Sequence, residues 1–119
     1  MFRTFLALGC MHCALAAPVK HPNLLLNREE IEAVKAKIAS YPWAAAALEK
    51  TREGALKPPQ WESGNLNQAL YYAFTSDKGF ADRARRYLLD HVNDQTFGSW
   101  GISWGAVAWT YDLVYETCS

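Results

Sequence analysis

Cysteine is scarce in this chain, neither sign of charge is in excess, and no apolar run beyond the leading segment is long enough to cross a bilayer. Each absence removes a class of protein. Lys plus Arg and Asp plus Glu both stand at 12 and are scattered rather than blocked, so the charge pattern offers no footprint for nucleic acid or for an anionic membrane surface. Of the 3 cysteines, Cys10 and Cys13 sit inside the leading apolar segment and only Cys118 lies beyond it. A disulfide framework is thereby excluded from the body of the chain. Cys10-Met11-His12-Cys13 has the spacing of a redox or metal site, yet Ala14 stands where a haem-attachment His would follow and no βαβ pattern surrounds the pair. No cofactor and no metal are expected. Sustained two-residue alternation is missing, which argues against sheet, and there is no Gly-rich phosphate loop, zinc spacing or nucleophile elbow.

What is present is apolar and aromatic: 50% of residues are hydrophobic, with 5 Trp, 6 Tyr and 5 Phe in 119 positions. That is enough for one modest core. The opening Met1-Phe2-Arg3 is basic and is followed by TFLALGCMHCALA, a run too short to span a membrane, ending in the small residues of Ala14-Leu15-Ala16. This pattern predicts a signal peptide over 1–16, cleaved after Ala16, and a periplasmic or secreted mature protein without a membrane segment.

From Asn27 onward the periodicity is helical. Asn27 and Glu30 form a capping-box pair ahead of Ile31, Val34 and Ile38, which predicts a helix from about Arg28 to Ser40. Pro42 suits the first turn of a second helix ending near Gly54 or Ala55, and the paired Pro58-Pro59 form a connector. A third helix is expected from about Asn65 to Thr75, with Asn65, Asn67 and Gln68 capping or flanking its start. The fourth runs from about Gly79 to Val92, with Phe80, Ala81, Ala84, Tyr87, Leu88, His91 and Val92 inward and Asp82, Arg83, Arg85 and Arg86 outward. The fifth, from about Ile102 to Tyr115, is apolar on almost every side, the pattern of a buried helix. Helices joined by short loops predict an all-α fold of successive antiparallel hairpins.

Three stretches together resemble a known group. HPNLLLNREEIEAVKAKIASYPW is similar to the opening of secreted heparinase II/III-like and alginate lyase enzymes. ALYYAFTSDKGFADRARRYLLDHV resembles the second helical hairpin of that group, and WGISWGAVAWTYDLVYE its next helix, with a Tyr-Asp-Leu signature. The resemblance implies that 17–119 is the N-terminal portion of an incomplete (α/α) toroid, truncated before it closes, whose partner is an acidic polysaccharide. It implies β-elimination on uronic-acid glycans such as alginate or a glycosaminoglycan. In that chemistry polar groups neutralise the sugar carboxylate, a Tyr or His removes the C5 proton, and a Tyr protonates the leaving oxygen. The residues that do this lie further along in the group, so no catalytic residue is assigned here, and the fragment itself is expected to be inactive.

The candidate substrate-binding residues are Trp100, Trp104, Tyr111 and Tyr115, whose spacing places four aromatics on one face of the fifth helix. Their flat faces suit the apolar side of a pyranose ring, although the same stripe is what a helical core needs. His21 reads as a structural entry residue in the leading segment of the mature chain, ahead of the first helix, His91 as a helix C-terminal cation, and Asp112 as a group able to bond a neighbouring loop. An apolar fifth helix without its next neighbour is expected to self-associate. The alternative to a lyase fragment is a non-catalytic exported helical module that binds glycan or protein.

Overall fold

The computed structural model describes residues 18–57, 63–92 and 104–118. The signal peptide expected over 1–16, the connector at Pro58-Pro59, the polar loop 93–99 and Trp100 lie outside the described residues. Among those described, the chain is all-helical: α1 (Arg28–Ser40), α2 (Pro42–Leu56), α3 (Ser63–Thr75), α4 (Lys78–Val92) and α5 (Trp104–Val114), followed by a 3-10 turn at Tyr115–Thr117.

Local chemistry explains the boundaries. Asn27 accepts from the backbone N–H of Glu30 at 2.9 Å while the Glu30 carboxylate accepts from the backbone N–H of Asn27 at 2.8 Å, closing the capping box ahead of α1. Tyr41 is extended and ends α1, and Pro42 opens α2 where its missing N–H leaves nothing unpaired. Between α3 and α4, Ser76 takes a left-handed φ of 62°. The Asp77 carboxylate then accepts from the backbone N–H of Gly79 at 2.9 Å, the usual way of satisfying an orphan donor at a helix start.

α3 is the central element and packs against each of the other four helices. Its Ala69 meets Ile31 of α1, Ala81, Ala84 and Leu88 of α4, and Leu113 and Val114 of α5 in one core cluster, with Leu26, Leu66, Leu70 and Phe74 around it. Alanines at the centre let the helix backbones approach closely. α2 packs on α3 as well: a Cβ on Gly54 would stand 2.5 Å from Asn67 Nδ2, so any larger residue there would have to displace the Asn67 side chain.

Two expectations need correction. Asn65 and Gln68 are not cap residues, since α3 begins at Ser63 and both side chains are buried within the bundle. Nor is α5 buried all round: Ala106, Thr110, Asp112, Leu113 and Val114 are buried, whereas Trp109 and Tyr111, and Tyr115 in the turn that follows, are exposed. Uniform apolarity hid the pattern because two of the buried residues, Thr110 and Asp112, are polar and stand on opposite sides of the helix, Asp112 covered by the segment ahead of α1.

Candidate functional site

The most organised polar arrangement joins the leading segment to α5. Asp112 projects from the buried side of α5 with 1% of its side chain exposed. Its Oδ1 lies 2.6 Å from His21 Nδ1, and its Oδ2 accepts the backbone N–H groups of Asn23 at 2.7 Å and Leu24 at 2.8 Å. Both oxygens are thus engaged by groups some ninety residues earlier in the chain. Burial alone would raise the Asp112 pKa, but the Leu24 N–H, the His21 ring and the Asn23 N–H together hold it below the ordinary carboxylate value. The group is therefore an anion at neutral pH.

Aromatic rings continue the arrangement outward. The His21 ring stacks on Tyr115 with centroids 3.9 Å apart and planes 26° apart, and Tyr111 meets Tyr115 edge-on at 5.6 Å and 88°. Tyr111 is 46% exposed and Tyr115 40%. Around the 3-10 turn, Arg28 pairs with Glu116, and Arg85 Nη1 donates to the carbonyl of Thr117 at 2.6 Å. The leading segment, α1, α4 and the end of α5 are thereby tied at one place.

Of the sequence-predicted aromatics, Tyr111 and Tyr115 come together as an exposed pair beside His21. Trp104 opens α5, its side chain lying outside the described residues, as does Trp100 entirely. Asp112 bonds a neighbouring loop, and His21 has the structural setting its position suggested. The Asp112–His21 connection could have been foreseen only in part. A charged residue set between Tyr111 and Leu113 in an apolar run requires a partner if buried, but nothing local says which one.

Chemically, a carboxylate bonded to one imidazole nitrogen is the orienting half of an acid–base pair. Here the second oxygen is saturated by two backbone N–H groups, which marks the carboxylate first as the anchor of the leading segment. Next to the dyad runs an open groove bordered by Lys20, Asn23, Arg28, Glu29, Glu32 and Glu116. Its carboxylates outnumber its cations, so the groove offers no excess positive charge. Among the described residues no cluster of His, Cys, Asp and Glu could hold a metal ion, and no helix is long and apolar enough to cross a membrane. No protein-family model matches the chain, and no match is found among curated proteins or solved structures.

Proposed function

We propose that the chain is the front part of an exported lyase of uronic-acid glycans, built as an incomplete (α/α) toroid and acting by β-elimination. The observation that carries this reading is the Asp112 anchor. Two of the stretches on which the resemblance rests, His21-Pro22-Asn23-Leu24-Leu25 and Tyr111-Asp112-Leu113, are far apart in sequence yet meet through one carboxylate. A structural reason for each to accompany the other supports their being parts of one pattern.

In this reading the exposed faces of Tyr111 and Tyr115 stack on the apolar side of a sugar ring. The groups that neutralise the sugar carboxylate and move the C5 proton are not among the residues assigned here. The chain alone is expected to bind the glycan without cutting it. Affinity electrophoresis in alginate and in hyaluronan, with neutral dextran as control, tests this. Retardation by the acidic polymers, reduced severalfold in Tyr111→Ala, supports the proposal. Equal mobility in all three gels rejects it.

The runner-up is a helical module that binds protein, and one observation favours it. Trp109, Tyr111 and Tyr115 expose large apolar side chains on α5 and the turn that follows it, which suits burial against a second copy. Light scattering after size exclusion distinguishes the two, because a dimer dispersed by Tyr111→Ala but indifferent to glycan belongs to the second reading.

A further inference from the structure

His21 presents one ring nitrogen to the protein and the other to solvent. Nδ1 lies 2.6 Å from Asp112 Oδ1, and that carboxylate is held below its ordinary pKa, so it remains an anion that can only accept. Nδ1 therefore carries a proton in both charge states of the ring, and the second proton comes and goes at Nε2 alone. Among the described residues Nε2 forms no hydrogen bond, and it is not one of the buried polar atoms without a partner, which are Asn65 Oδ1, Gln68 Oε1 and Thr110 Oγ1. It reaches solvent, in a side chain that is 27% exposed.

The ring is also fixed in place. Its face stacks on Tyr115 at 3.9 Å, Tyr115 meets Tyr111 edge-on, and Arg28 Nη2 reaches the His21 carbonyl at 3.5 Å. The remaining charges around it come from the leading segment, α1 and the turn after α5. Arg28 is paired with Glu116 and Glu32 with Lys35, which leaves Lys20 and Glu29, of opposite sign. Carboxylates, lysines, arginines and tyrosines do not ordinarily change charge between about pH 5 and 8, whereas imidazoles do. One proton on Nε2 thus turns a bare acceptor into a cationic donor, without moving the ring and against a nearly balanced background. We infer that His21 is the contact that distinguishes acidic from neutral sugars on the tyrosine pair, its protonated Nε2 donating to the sugar carboxylate. The inference rests on the reading of Tyr111 and Tyr115 as a sugar platform, and adds to that platform a charge that appears on acidification. A neutral sugar stacks on the same rings without using it.

Alginate, and the same polymer with its carboxyls reduced to alcohols, separate charge from stacking. Affinity electrophoresis of the full chain is run at about pH 5 and about pH 8, each referred to a polymer-free gel. Alginate is expected to be held about three- to fivefold more tightly at the lower pH, the worth of one exposed ion pair, and the reduced polymer equally at both. His21→Asn keeps an amide N–H near the position of Nδ1 for Asp112 and deletes Nε2, so it should flatten the alginate profile. Where that variant loosens the leading segment, the wild type gives an independent reading. The nitrogen NMR signal of His21 Nε2 should shift on adding alginate at the lower pH and stay in place with the reduced polymer. Alginate affinity that does not change with pH, a pH dependence that survives in folded His21→Asn, or an Nε2 signal unmoved by alginate overturns the inference. Alginate binding that is flat with pH but lost in Tyr111→Ala removes the His21 contact alone. Absence of alginate binding at both pH values removes the tyrosine platform with it.

Discussion

Two regions of this molecule bury polar side chains, and they do so in opposite ways. At the α5 end, Asp112 is as buried as any core residue, yet its carboxylate takes hydrogen bonds on both oxygens. At the α2–α3–α4 cleft, Asn65 and Gln68 are buried with acceptor oxygens that receive nothing. A satisfied group stabilises the arrangement that satisfies it, whereas an unsatisfied one is a liability unless something outside the chain completes it. The difference separates a completed contact from an uncompleted one, and it can be broken experimentally.

The largest effect is expected at the anchor. Asp112→Ala strands the two backbone N–H groups and the His21 ring, and should lower unfolding free energy by about 2–4 kcal/mol in urea titrations. A loss no greater than that of an ordinary surface substitution would remove the anchor from the account. Acid provides the same test without mutation. The folded-state pKa of Asp112 is depressed, so its contribution is full above the unfolded value near 3.8 and is lost as pH falls past that value through the lower folded one. The urea midpoint of the wild type should therefore drop more steeply with acid than that of Asp112→Asn, the two curves converging at the lowest pH.

At the cleft the sign is expected to reverse. Asn65→Leu removes an acceptor that has no donor, and stability should hold or rise by up to about 1 kcal/mol by the same measurement. A loss of several kcal/mol would show that Asn65 is completed within the chain and would erase the contrast. The smallest effect belongs to the exposed Arg28–Glu116 pair, 68% and 63% exposed. Its removal by Glu116→Gln should change stability by less than about 1 kcal/mol and fade with salt.

Much of the helical framework was legible because its signals are local. The Asn27–Glu30 box, Pro42 and the Thr75-Ser76-Asp77 turn act within a few residues of where they stand, and α1, α2 and α4 begin and end within a residue or two of expectation. What depends on distant partners was not legible. Asn65 and Gln68 resemble cap residues in one dimension and become cleft residues only when α2 and α4 are set beside them. Tyr111 and Tyr115 are exposed while Thr110 and Asp112 are buried, an inversion of the usual rule that apolarity decides. Thr110 Oγ1 lacks a partner, and nothing in the structure explains it.

The tether between His21 and Asp112 also sets an order of events during synthesis. Translation delivers the leading segment first and its acceptor some ninety residues later. Until α5 has left the ribosome, His21, Asn23 and Leu24 have no carboxylate to bind, so the segment ahead of α1 waits for four helices before it is fastened. The clasp reports that α5 has arrived.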